Sequence, residues 1–291
     1  MAWIQFICHT TQEKAEALSD AFSECGAAAV TFEDNADQPI YEPEVGETPL
    51  WTATRLTALF DAETSTEEVI KLLANFVEEV PKFKVEAVED KDWEREWMTN
   101  FHPIQFGERL WICPSWHQPP APEAVNILLD PGLAFGTGTH ATTALCLNWL
   151  DQADLTGKYV IDYGCGSGIL AIAAALLGAE KVIAVDTDPQ ALEATRANAE
   201  RNGVEIEAYL PCECPDLTCD LLLANILAGP LQTLAPRFAN LCKAEAGLVL
   251  SGVLQTQADD VSDSYQAWFD MQPATQKEDW VRLTGTRHVQ K

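Results

Sequence analysis

Val160-Ile161-Asp162-Tyr163-Gly164-Cys165-Gly166-Ser167-Gly168 is an apolar strand that runs into a glycine-rich turn, and an apolar helix over residues 169–177 follows it. The turn reads G-x-G-x-G. Ile169 stands where the longer G-x-G-x-x-G fingerprint needs its last glycine, and that longer fingerprint seats a pyrophosphate at a helix N-terminus. The shorter turn after an Asp-bearing strand suits instead a small nucleoside ligand with no phosphate. The next strand, residues 181–185, ends in Asp186, eighteen residues after Gly168. A carboxylate there accepts both ribose hydroxyls of a nucleoside lying across the strand ends.

Outward from this unit the pattern alternates. Strands are expected at 159–162, 181–186, 206–210, 220–224, 247–251 and 280–285, with helices at 169–177, 189–202, 230–241 and 253–269. Pro189 behind Asp188 is a first-turn proline after an N-cap, and Gly203 stops the same helix. Such alternation means a mainly parallel sheet with helices on both faces. Ligands of such sheets sit beyond the C-terminal strand ends, where Gly164, Asp186 and Asn225 all fall. S-adenosylmethionine is the common nucleoside ligand that such a turn accommodates, so the fold class expected is α/β, a class I methyltransferase Rossmann-like sheet.

The first ninety residues carry a different order. Strands at 3–8, 27–32, 51–60 and 82–88 enclose helices at 12–25 and 65–79, the second with Val69, Leu72, Leu73 and Phe76 as its apolar stripe. This β-α-β-β-α-β order is that of a ferredoxin-like α+β domain. Residues 90–100 mix charges of both signs with Trp93 and Trp97 four apart, which puts both rings on one helical face. The expected organisation is therefore a ferredoxin-like domain at 1–89, a helical linker at 90–101 and a methyltransferase domain at 102–291.

Composition narrows the partners. The 291 residues carry a formal net charge of −27, and residues 1–90 hold five Lys/Arg against nineteen Asp/Glu. No Lys or Arg occurs between Ala15 and Thr54 or between Leu110 and Gly157. Binding a phosphate backbone needs clustered basic residues, so direct nucleic-acid binding is not expected, whereas a basic protein partner is. The longest apolar run, residues 169–177, falls far short of the ~20 residues that span a bilayer. Nine cysteines without framework spacing fit reduced thiols, and with no basic, apolar leader the expected location is the cytoplasm.

Two further stretches carry chemistry. Asp130-Pro131-Gly132-Leu133-Ala134-Phe135-Gly136-Thr137-Gly138-Thr139-His140-Ala141-Thr142-Thr143 is a glycine- and threonine-rich loop before a helix, able to close over a small ligand. His140 either orients that ligand or caps the helix. Leu223-Ala224-Asn225-Ile226-Leu227-Ala228 ends a strand with a polar residue but without the prolines and aromatic that stack a planar acceptor amine. The acceptor expected is thus an aliphatic amine. Cys212, Cys214 and Cys219 lack the paired spacing of structural zinc sites, and no metal is expected.

These residues together resemble the bacterial family of methyltransferases that modify ribosomal protein L11. The resemblance covers essentially the whole chain and rests on residues 130–143, on Val160–Gly168, on Asn225-Ile226-Leu227-Ala228-Gly229-Pro230 and on the tryptophan segment 92–97. It implies S-adenosylmethionine as cofactor, with contacts by position at Thr143, Gly164, Asp186 and Asn225, and it assigns no catalytic base. It further implies trimethylation of lysine side chains and of the N-terminal α-amine of a basic ribosomal protein, with the N-terminal domain recognising the substrate; a monomer is expected. Ala141 departs from the proline that relatives often carry, and Tyr163 is bulkier than usual. A small-molecule amine methyltransferase would share the cofactor motifs but need no N-terminal domain.

Overall fold

The computed structural model describes residues 3–36, 38, 40, 47–88, 101–130, 140–215 and 217–289. The chain divides into two compact units, Met1–Met98 and Thr99–Lys291. Residues 89–100, and with them the tryptophan segment read as a linker, lie outside the described residues.

The smaller unit runs β1 (Trp3–Thr11), α1 (Gln12–Glu24), β2 (Ala29–Asp34), β3 (Ala53–Asp61), α2 (Thr66–Leu73) and β4 (Phe83–Val88). Its sheet has the order β2-β3-β1-β4, and every neighbouring pair is antiparallel. β3 thus lies between β1 and β2, a split β-α-β arrangement. Period-two alternation puts Phe6 and Cys8 of β1 on one face with Leu56, Ala58 and Phe60 of β3. Both helices cover that face, through Leu18 and Phe22 of α1 and Val69 and Leu73 of α2. Phe6 meets Phe60 edge-on at 5.0 Å between ring centres.

α2 is shorter than its sequence suggests. Ser65 caps it by accepting from the Glu68 N–H, but it stops at Leu73, and Leu72 and Phe76 are 46% and 52% exposed. Leu72 sits about 100° round the helix from Leu73, so Val69 and Leu73 alone are buried. The Asn75 and Phe76 amides then bond three residues back, to Leu72 and Leu73, which tightens the last turn and ends it.

The larger unit opens with a three-stranded sheet of β5 (Ile104–Phe106), β6 (Leu110–Cys113) and β7 (Val125–Leu128). Next come α3 (Ala141–Gln152), β8 (Tyr159–Tyr163), α4 (Ile169–Leu176), β9 (Lys181–Val185), α5 (Pro189–Arg201) and β10 (Glu207–Tyr209). The second half holds β11 (Cys219–Asn225), α6 (Ala228–Leu241), β12 (Cys242–Leu254), α7 (Ala258–Tyr265), β13 (Phe269–Met271), β14 (Thr275–Lys277) and β15 (Trp280–Arg287). The main sheet has the order β10-β9-β8-β11-β12-β15-β13, with β14 also paired to β15. From β10 to β12 all neighbours are parallel, and β15 returns antiparallel to β12. The α/β architecture with a mainly parallel sheet follows the alternation of the sequence. The strand order reverses between β8 and β11, which makes the gap at their C-terminal ends the topological switch point.

Strand alternation feeds two cores. Val160, Val182, Leu221 and Leu223 pack against α3 and α4, while Ile161, Ile183, Leu222 and Leu248 pack against α6 and α7 on the other face. One expectation fails here: residues 253–269 are not a single helix. β12 continues to Leu254, Val253 is fully buried within it, and α7 begins only at Ala258. A bulge at Ser251-Gly252 hides the strand period, which is why the stretch reads as helical.

The small sheet is tied to α3 by one buried side chain. Asp151, 4% exposed, accepts from the Glu108 and Arg109 amides at 2.8 and 2.9 Å, and Arg109 Nε donates to the Asp151 carbonyl at 2.9 Å. Asp151→Ala strands two backbone N–H groups and removes a carboxylate acceptor, a loss of about 2–4 kcal/mol. The melting temperature is expected to fall by roughly 6–12 °C for a unit of this size, checked by calorimetry, while Asp151→Asn recovers part of the loss.

Candidate functional site

The site is built at the C-terminal ends of β8, β9 and β11. Gly164 leaves β8 with φ +83°, and its amide and that of Cys165 both donate to the Val185 carbonyl, at 2.7 and 3.1 Å. The turn is therefore hung from β9 and passes directly into α4. A Cβ built on Gly164 would lie 2.2 Å from Ile226 Cγ2, so the backbone of this turn and the residue after Asn225 are in the closest contact that glycine permits.

Asp186 closes the other side. Its Oδ2 accepts from the Gly166 amide at 2.9 Å and its Oδ1 from the Asp188 amide at 3.0 Å. Each carboxylate oxygen has a second lone pair, so both can still accept a ribose hydroxyl. The residue expected to contact the ligand thus also fixes the shape of the glycine turn. Asp188 in turn accepts from the Gln190 amide and starts α5, with Pro189 in the first turn.

Asn225, at the end of β11, donates from Nδ2 to Thr143 Oγ1 at 3.4 Å. Thr143 is 2% exposed, in the first turn of α3. This bond uses one amide hydrogen and leaves Oδ1 as an acceptor. Ile226 is held from the far side as well, because Gly252 takes φ +82° in the β12 bulge and a Cβ there would fall 2.3 Å from the Ile226 carbonyl oxygen. Thr143, Gly164, Asp186 and Asn225 are thereby linked through Ile226 and the Gly166 amide into one connected set of contacts.

Of the loop read as a lid, residues 131–139 lie outside the described residues. His140, where the description resumes, caps α3: its Nδ1 accepts from the Thr142 amide at 3.4 Å and lies 2.8 Å from Thr142 Oγ1. The ring also meets Trp280 edge-on at 5.0 Å. Tyr163 packs edge-on against Phe238 at 5.0 Å, so its bulk is absorbed by the core beneath α6.

Asp162 went unremarked among the site residues of the sequence. It is 1% exposed; Oδ2 accepts from the Ala171 amide of α4 at 3.0 Å, and Oδ1 is buried without a partner. Burial pushes its carboxyl up to about 7, the Asp186 charge acts in the same direction, and the Ala171 bond opposes both. The signal was present in the sequence as a lone acid inside the buried run Val160-Ile161-Asp162.

Over residues 2–288 the chain matches the family model described as ribosomal protein L11 methyltransferase (PrmA). It belongs to this family. The L11 methyltransferase of Shewanella sp. strain ANA-3 is 57% identical over 292 residues, spanning 99% of this chain and 100% of that protein. That of Shewanella baltica strain OS185 is 58% identical with the same coverage. A crystal structure of a ribosomal protein L11 methylase from Lactobacillus delbrueckii subsp. bulgaricus aligns with a TM-score of 0.59 at 31% identity, over 65% of this chain and 99% of that one. A member of the L11 methyltransferase family is an S-adenosylmethionine-dependent protein methyltransferase. No helix among the described residues is long and apolar enough to cross a membrane.

Proposed function

We propose that this chain transfers methyl groups from S-adenosylmethionine to aliphatic amines of ribosomal protein L11, namely lysine side chains and the N-terminal α-amine, through to the trimethylated products. The observation that carries the reading is the convergence of the Gly164 turn, Asp186 and the Asn225–Thr143 pair at the switch point of the sheet. The residues fit the cofactor: a turn with no room for a side chain for the amino-acid end, a carboxylate with two spare lone pairs for the ribose, and no longer fingerprint for a phosphate.

When bound, S-adenosylmethionine supplies a methyl carbon that its sulfonium has already made electrophilic. The protein's task is alignment, and proximity and orientation account for most of the acceleration. Asn225, its carboxamide fixed by Thr143, presents Oδ1 to an N–H of the incoming amine and so directs the nitrogen lone pair. An ammonium with an ordinary pKa near 10.4 must lose its proton first, and a desolvated site beside a cation lowers that value. The acidic N-terminal unit serves as the recognition domain for the basic substrate, carried on the segment 90–101, and the chain works as a cytoplasmic monomer that does not itself grip RNA. A ribosomal protein carries the Lys/Arg that RNA binding demands, which suits the acidic balance of residues 1–90.

Transfer of label from methyl-tritiated S-adenosylmethionine tests this reading. Unmodified ribosomal protein L11, presented beside rRNA and a metabolite extract, is expected to take up label at amines alone. Label in a small molecule with none in the protein would replace the acceptor.

A further inference from the structure

Asp162 stands two residues before Gly164, where β8 gives way to the ligand-binding turn, and it is the acid most deeply enclosed in the site. A buried carboxylate oxygen without a donor is unstable as an anion and has two remedies: to carry a proton or to face a positive charge. The surroundings of Asp162 offer no positive charge among the described residues. From β9 it feels the Asp186 carboxylate, from the turn Cys165, and from α3 Cys146. Both thiols are themselves pushed up to about 12 by burial, so they remain neutral. Arg282 of β15 acts on Cys146 rather than on Asp162, and it donates to the Leu145 carbonyl at 3.1 Å and to Thr275 Oγ1 at 2.9 Å. Leu223 and Ala184, the strand neighbours in register with Asp162, are apolar.

We propose that Asp162 is a proton-linked positioning residue for the cofactor: its carboxyl is protonated in the free protein and releases that proton to solvent when a cationic ligand binds over the Gly164 turn. The inference rests on the cofactor site proposed above. S-adenosylmethionine brings a sulfonium and an α-ammonium into the site, and S-adenosylhomocysteine brings the α-ammonium alone. Either charge stabilises the carboxylate form and lowers its proton affinity. The bond from the Ala171 amide becomes charge-assisted in that form, which tightens α4 against the turn as the ligand is held. No other bond forms or breaks; the proton passes to buffer, and binding and ionisation are linked.

The sign follows from the direction of the shift. Because the free-state proton affinity is raised, the carboxyl is protonated below about pH 7 and must lose its proton to bind, so affinity rises with pH and levels off above that value. Titration calorimetry of the full chain with S-adenosylhomocysteine, in buffers of different ionisation enthalpy, counts the protons. At pH 7 the wild type is expected to release about half a proton per ligand, and at pH 8, where the ligand's α-ammonium is still largely charged, about a tenth. Between pH 6 and 7 its affinity should tighten several-fold, whereas Asp162→Asn should release none between pH 6 and 8 and bind with a flat profile over that range. A merely structural Asp162 would leave the proton count untouched. The same count in Asp162→Asn, or a wild-type count that does not fade between pH 7 and 8, would overturn the inference and leave the cofactor site standing. Failure of the wild type to bind S-adenosylhomocysteine at all would remove the site and the inference together.

Discussion

Replacing Asn225 by Ala is expected to lower kcat roughly a hundredfold while the affinity for S-adenosylhomocysteine stays within about twofold of wild type. The asymmetry follows from what Asn225 touches. One of its amide hydrogens is held by Thr143 Oγ1, and on the proposed function its oxygen serves the acceptor amine. An amine whose lone pair is no longer aimed along the S–CH₃ axis loses orientation, the term on which this chemistry chiefly depends. Asp186→Ala should behave in the opposite way. It frees the Gly166 amide and, on the proposed function, removes the ribose acceptor, so the ligand Kd should rise about tenfold or more with a smaller change in kcat at saturation. Calorimetry and initial-rate kinetics on both variants give the four numbers, and equal losses of binding and turnover in each would refute this division of roles.

Gly164→Ala is expected to be the more damaging of the glycine substitutions at the site, with cofactor affinity falling by about two orders of magnitude. A residue with a Cβ at φ +83° carries roughly 1–2 kcal/mol of strain before any contact is considered. The new methyl would also sit 2.2 Å from Ile226 Cγ2, so the turn or the Asn225-Ile226 segment must shift. Either shift displaces a group that must be placed within a fraction of an ångström. A double variant, Gly164→Ala with Ile226→Ala, tests the cause. Removing the far methyls should restore part of the affinity; if it restores none, the backbone conformation rather than the contact is responsible.

Much of this was legible in the sequence because the strands of the larger unit are short, apolar and punctuated by glycine, proline and aspartate. Asp186 fell at the distance where a ribose-binding carboxylate belongs, and the order of strands and helices left little freedom in the sheet. Contacts made across long stretches of chain were not legible. Asn225 is legible as a strand-end residue and Thr143 as part of a polar loop, but nothing in the spacing says that they meet across eighty-two residues. Gly252 lies between the apolar run 247–251 and the helical spacing that begins at Val253, and the bulge there joins the two into one strand, β12. α2 was extended because Leu72 and Phe76 share the helical spacing of core residues, and spacing does not report where the neighbouring sheet ends.

Ile226 is enclosed by the backbone of two glycine positions, Gly164 from the cofactor turn and Gly252 from the β12 bulge. A single residue therefore locks the Gly164 turn to the β12 bulge, on either side of the strand end that carries Asn225. Any substitution that shifts the Gly164 turn is therefore felt at Ile226, and a change at Ile226 is felt by both glycines. An engineer seeking a new acceptor would do better to leave Asn225-Ile226 untouched and to alter the exposed Leu227 beside it.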